Sequence, residues 1–141
     1  MIAVDSSVVV DLLGRDAHAD AAEEALRRAL SLGPVVVCDV VVSEVVAGLG
    51  YGSDLVEMLE DAGVRFLSTE LRSAIRAGEM QRRYKQRMKT ERRSPTSPRT
   101  GPDFLIGAHA LLQCSALITR DDGFFRDYFK GLRVIVPHLT N

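Results

Sequence analysis

No stretch of this 141-residue chain approaches the roughly 18 uninterrupted apolar residues of a membrane-crossing helix, which argues against a helical membrane protein. The opening MIAVDSSVVVDLL lacks a basic leader and carries Asp5 and Asp11 inside its apolar run, so it does not read as a secretory signal. Cysteine is scarce. Cys38 and Cys114 each flank an apolar, strand-like segment, which suits buried thiols in a reducing compartment better than a disulfide framework. The expected location is therefore cytoplasmic. The three histidines, His18, His109 and His138, have no ligand spacing, and His109 with Cys114 is not a helical metal pair, so they read as structural or surface residues. Gly48, Gly50 and Gly52 mimic a phosphate loop. They end a helix-like run instead of opening one, and Ser53 stands where G-x-G-x-x-G needs its last glycine.

What is present is an ordinary globular composition, 46% hydrophobic and 26% charged, at a length that fits one domain over residues 1–141. The formal net charge of −1 hides an asymmetry. Between Arg82 and Arg99 stand Arg82, Arg83, Lys85, Arg87, Lys89, Arg92, Arg93 and Arg99 against the single acid Glu91, so this segment is net +7 and the remainder net −8. A basic arm beside an acidic body is what a nuclease needs to hold phosphates yet keep an acidic metal site. The competing reading is a solvated, helix-favouring charge run.

Along the chain, short β-branched runs alternate with helical patterns. Met1–Val4 reads as a strand, and Ser6 or Ser7 can cap a short helix over Val8–Leu13. Residues 17–32 form an Ala/Glu/Arg/Leu helix stopped by Gly33-Pro34, followed by a buried strand at Val35–Val37. VVVSEVVAGLG is too long for one strand and ends in glycines, so a helix is expected. A helix over 54–62, a strand at Val64–Leu67 and a long helix from Arg72 to about Glu91 come next, then the proline-rich SPTSPRTGP. Asp103 opens a further helix, Ala116–Thr119 is a fourth strand, DDGFFRDYFKGL a turn and short helix, and Val134–Val136 a fifth strand. Buried strands of this length alternating with helices imply a parallel, three-layer α/β domain with a five-stranded sheet flanked by helices.

That architecture concentrates acids. Asp5 and Asp121 each stand just after a strand, and in a parallel sheet all strand C-termini lie on one rim, where open α/β sheets bind ligands. Glu44 and Asp103 lie early in helices that leave the same rim. Two carboxylates about 5 Å apart repel by roughly 3 kcal/mol at an effective dielectric near 20. A cluster of four therefore needs a cation, and oxygen-only ligands favour Mg²⁺ or Mn²⁺ over zinc. Such an ion can bind a phosphate oxygen and activate water. Singly, Asp5 and Asp103 could be helix caps and Asp121 a turn residue. Glu44, alone among Val40, Val41, Val42, Val45 and Val46, is harder to explain that way, because a buried carboxylate needs a partner.

The segments IAVDSSVVVDLL, DVVVSEVVAGL and TGPDFLIGAHALLQCSALITRDDGFFRDYFKGLRVIVP, in this order over essentially the whole chain, resemble the PIN-domain toxins of the VapC type, ribonuclease members of type II toxin–antitoxin pairs. The resemblance implies a PIN-like fold in which Asp5, Glu44, Asp103 and Asp121 form the catalytic, metal-binding site, with Ser6 and Thr119 supporting it. It also implies Mg²⁺ or Mn²⁺ dependence, endonucleolytic cleavage of transfer RNA or another structured RNA, a homodimer, and neutralisation by a cognate antitoxin. The stretch TERRSPTSPRTG ahead of Asp103 is longer and richer in proline than the family pattern.

Beside these acids, Arg82, Arg83, Lys85, Arg87, Arg92 and Arg93 are candidate RNA-backbone contacts, and Tyr84 within the basic helix a candidate base contact. Phe124 and Phe129 read as core. The apolar excess of Val40, Val41, Val42, Val45, Val46 and Leu49 suggests a surface covered by a partner, unless that helix is central and buried all round. The main rival function is a phosphorylatable receiver-like signalling domain, which needs a lysine after a late strand. None of Lys85, Lys89 and Lys130 follows one. A catalytically inactive PIN-type binding module is a second rival, normally betrayed by a missing acid.

Overall fold

Three valines in a row favour extended backbone and leave no polar face, and the centre of the molecule is made of such segments. The computed structural model describes residues 1–50, 52–91 and 98–139. In chain order the elements are β1 (Ile2–Val4), α1 (Ser6–Leu13), α2 (Ala17–Leu32), β2 (Val35–Val37), α3 (Asp39–Leu49), α4 (Gly52–Ala62), β3 (Arg65–Phe66), α5 (Leu71–Thr90), α6 (Gly101–Gln113), β4 (Ala116–Ile118), α7 (Asp122–Tyr128) and β5 (Arg133–Ile135). The five strands form one sheet in the order β3-β2-β1-β4-β5, every pairing parallel. All residues of β1, β2 and β4 are buried. Successive strand side chains point to opposite faces, so both faces of the central sheet are covered by helices.

The strand order decides where a site can form. From the central β1 the chain steps outward to β2 and β3, then returns to the other side of β1 for β4 and β5. With right-handed crossovers the helices leaving β1 and β4 go to opposite faces, which opens a crevice at the carboxyl ends of these two adjacent strands. Asp5 and Thr119 lie there. The Asp5 backbone N–H donates to the Ile118 carbonyl at 2.9 Å, so the first residue past β1 is pinned to β4.

Local chemistry accounts for the element ends. Asp16 accepts the His18 and Ala19 amides at the start of α2, and Gly50 takes a left-handed conformation (φ 77°) after α3, where its amide reaches the Val46 carbonyl at 2.7 Å. The first helix starts at Ser6, earlier than Val8, and its N-cap is Asp5, not Ser6 or Ser7. Phe104, Phe125 and Phe129 are almost fully buried, and Phe124, packed edge-on against Phe104 and Phe125, completes the aromatic core between α6 and α7. Gly107 in α6 is required by that core, since a Cβ there would lie 2.3 Å from the Phe129 ring. No helix among the described residues is long and apolar enough to cross a membrane.

Candidate active site

Asp5 is 6% exposed and saturated with donors. Its Oδ1 accepts the Ser6 amide at 2.8 Å and faces the Ser6 hydroxyl at 3.4 Å. Its Oδ2 accepts the Ser7 hydroxyl at 3.1 Å and the buried Thr119 hydroxyl at 2.6 Å. Asp5 is therefore the N-cap of α1, a role compatible with that of a candidate site acid. Burial nevertheless holds its pKa above the usual carboxylate value, the hydroxyl and amide donors pull it back, and the charge of Asp103 adds to the rise.

Glu44, one and a half turns into α3, is half-buried and accepts the Ser6 hydroxyl at 3.1 Å, so Ser6 lies between two carboxylates. Burial raises the Glu44 pKa, the Ser6 bond opposes this, and the charges of Asp103 and Asp5 raise it further. Asp103 sits in the first turn of α6, where one carboxylate oxygen accepts the Thr100 amide at 3.1 Å. Asp5, Glu44 and Asp103 thus share one electrostatic environment.

Asp121 is placed differently. Its amide donates to the Thr119 hydroxyl at 3.0 Å, so Thr119 links Asp5 to Asp121. Its carboxylate, however, is gripped by the Arg99 guanidinium, Nη1 on Oδ2 and Nη2 on Oδ1 at 3.1 Å. Among the described residues no three acids, as placed, surround a point where a metal ion could sit. What fits a hard divalent cation is the donor chemistry: oxygen ligands only, two of them destabilised as anions by burial and by their neighbours.

The basic helix passes close by. Gln81 of α5 lies beside Gly101 at the start of α6, and the Tyr84 hydroxyl accepts the Arg99 amide at 3.1 Å. Arg82, Arg83 and Lys85 on this stretch are exposed. One expectation requires correction. Tyr84 is 9% exposed and packs against Phe104 and Tyr128, which leaves its ring no open face for a base. Arg87 pairs with Asp127 at 2.7 Å and with Tyr128, which raise its pKa, and also with Glu91, so it ties α5 to α7 while staying partly exposed. Arg92 and Arg93 lie outside the described residues.

Three participants escaped the sequence reading: Ser7, Arg99 as a partner of Asp121, and Arg120, whose Nε contacts Asp11 of α1 at 2.7 Å and steadies the turn before Asp121. The only available signal was position, since Arg99 precedes Asp103 by four residues and Ser7 follows Asp5 by two. On α3, Val41 and Val45 are buried, while Val40, Val42 and Val46 pack partly against the core and Leu49 is 42% exposed. The helix is neither buried all round nor mostly bare.

A family model described as the PIN domain matches residues 2–130. The chain belongs to the PIN-domain family. No curated protein matches it. Among solved structures it is similar to VapBC2 from Rickettsia felis bound to a promoter DNA fragment, at 16% identity and TM-score 0.72 over 96% of this chain and 98% of that one. It is also similar to VapBC-1 from nontypeable Haemophilus influenzae, at 19% identity and TM-score 0.65 over 96% and 98% of the two chains. A third is VapC20 of Mycobacterium tuberculosis, described as a Sarcin-Ricin loop cleaving toxin, at 17% identity and TM-score 0.61 over 94% and 99%. At such identities the likeness is one of fold. The PIN-domain fold also displaces the receiver-like alternative, whose doubly wound sheet runs 2-1-3-4-5 where this one runs 3-2-1-4-5.

Proposed function

We propose that this PIN domain, a single domain over 1–141, is a Mg²⁺- or Mn²⁺-dependent endoribonuclease, the toxin of a cytoplasmic toxin–antitoxin pair that cleaves transfer RNA or another structured RNA. The observation that carries the reading is the group of mutually repelling carboxylates, Asp5, Glu44 and Asp103, at the crevice between β1 and β4, with exposed Arg82, Arg83 and Lys85 on the helix whose Gln81 and Tyr84 reach the start of α6. Asp5, Glu44, Asp103 and Asp121 would hold the cation, which supplies a Lewis acid for the phosphate oxygen and a lowered pKa for attacking water. The chain's own residues do the positioning. Thr119 and Ser7 fix the Asp5 carboxylate, Ser6 aims Glu44, and the Thr100 amide fixes Asp103. The basic side chains of α5 hold the RNA backbone so that a phosphodiester lies over the acids, which offsets the repulsion a polyanion would meet there.

The Sarcin-Ricin loop cleavage described for VapC20 and the toxin–antitoxin complex from Klebsiella pneumoniae, similar at 21% identity with TM-score 0.62 over 99% of this chain and 100% of that one, support the same reading. A surface groove supports an antitoxin as the partner. Between α2 and α4 lies a groove with an apolar floor of Leu26, Leu30 and Met58 and an acidic rim of Glu23, Glu57 and Asp61, suited to a basic amphipathic segment. A second copy of the chain is proposed to cover further exposed apolar residues, Phe66, Leu71 and Ile75 among them. The test is degradation of bulk transfer RNA by the purified chain with Mg²⁺, with EDTA, and with Asp103→Asn. Cleavage confined to the metal-loaded wild type is expected. Full cleavage in EDTA overturns the metal mechanism, and no cleavage of any RNA by the metal-loaded wild type favours an inactive binding module.

A further inference from the structure

The partly buried Arg99 side chain is engaged by Asp121 and by an aromatic ring. Its guanidinium clasps both oxygens of Asp121, with Nη2 to Oδ1 at 3.1 Å, and lies over the Phe124 ring at 4.5 Å from the centroid. Its amide is fixed by Tyr84 and the next residue's amide by Asp103, so the backbone on both sides of its side chain is anchored in the site. The negative charge of Asp103 also acts on it, after the larger effect of Asp121. A monovalent cation in that position does part of what a divalent ion would do, lowering the repulsion among the carboxylates. It also takes the lone pairs of Asp121 that an ion would need.

We propose that Arg99 is an internal counter-cation that competes with the divalent metal for Asp121, so that metal loading requires the guanidinium to leave the carboxylate. The metal-free site is then a partly neutralised state in which the chain's own guanidinium occupies one of the four carboxylates. The inference rests on the metal reading above and adds to it a cost of loading set by one residue. Arg99→Lys keeps the charge but loses the two-pronged grip, and Arg99→Gln removes the charge while keeping much of the side chain's length.

The test is Mn²⁺ titration of the full chain, with free Mn²⁺ read by electron paramagnetic resonance, on wild type, Arg99→Gln, Arg99→Lys and Tyr84→Phe. Melting curves with and without Mn²⁺ accompany each titration. Arg99→Gln should bind Mn²⁺ roughly fivefold more tightly, the factor expected when a partly exposed ion pair no longer has to be broken. Its melting point should fall without metal and rise further on Mn²⁺ addition than that of wild type. Arg99→Lys should lie between the two, and Tyr84→Phe, which frees only the backbone anchor, should shift affinity in the same direction by less. Equal or weaker Mn²⁺ binding by a folded Arg99→Gln, beside normal binding by wild type, overturns the competition and leaves the metal reading standing. Absence of Mn²⁺ binding in every variant and in wild type overturns both.

Discussion

Thr119→Val removes one hydroxyl from the most constrained point of the site and keeps its shape. The Thr119 side chain is fully buried, donates to Asp5 at 2.6 Å and accepts the Asp121 amide at 3.0 Å. A hydrogen bond to a charged acceptor contributes about 1.5–3 kcal/mol, and the valine methyl offers the buried carboxylate nothing in return. The Asp121 amide is at a half-buried residue, where water can replace the lost acceptor, so its share is small. The expected loss is about 2 kcal/mol near neutral pH, or about 6 °C in melting temperature for a chain of this size. The pH dependence follows from Asp5. Its pKa is already raised by burial, so the associated stability is present below the ordinary value of 3.8 and is lost as pH rises through the folded value. Thr119 opposes that rise, so its removal pushes the folded value higher and widens the deficit as Asp5 ionises. Urea unfolding followed by circular dichroism at about pH 4 and about pH 7 measures this, with Thr119→Ser as the hydroxyl-retaining control. A valine variant within a few tenths of a kcal/mol of wild type at both pH values would refute the reasoning.

Asp5→Asn should abolish RNA cleavage at a metal-free stability cost below about 2 kcal/mol, because the relief of burying the anion beside Asp103 offsets the hydrogen bonds lost at Oδ2; a larger loss in urea unfolding contradicts this. Replacing Arg82 and Arg83 together with Ala should weaken RNA binding across sequences and flatten the log–log salt dependence by about 0.7 per lost contact, read by filter binding. An unchanged slope would mean that these exposed residues are only a solvated face. Gly107→Ala, which drives a methyl into the buried Phe129 ring, should cost about 1–3 kcal/mol in thermal or urea unfolding without changing the affinity for Mn²⁺.

Local order was legible where sequence chemistry is local. Residues 17–32 form the expected helix because its alanine-rich face and Gly33-Pro34 stop act within a few turns, and Val35–Val37 could only be a buried strand. The parallel arrangement followed from the alternation of short strands with helices, and that arrangement is what brings Asp5, Glu44 and Asp103 into one electrostatic neighbourhood. Helix capping was less legible, since Asp5, Ser6 and Ser7 are all good caps and the choice fell to the residue that β4 holds in place through Ile118. Residues of the basic segment were read alike but have different fates. Tyr84 is enclosed by Phe104 and Tyr128, which lie 20 and 44 positions away, and Arg87 is claimed by Asp127. These partners are set by how α5 packs on α6 and α7, which no spacing in the sequence encodes. The Arg99–Asp121 pair belongs to the same class, since it depends on how residues 98–100 turn into α6.

The central claim is that the carboxylates at the β1–β4 crevice hold a divalent ion. Diffraction from crystals soaked in Mn²⁺, recorded where manganese scatters anomalously, locates that ion directly. An anomalous peak is expected within coordination reach of the Asp5 and Asp103 carboxylates, with Glu44 or Asp121 turned toward it. Peaks only at other surface carboxylates, with Asp5 still bonded solely to Ser6, Ser7 and Thr119, would contradict that claim.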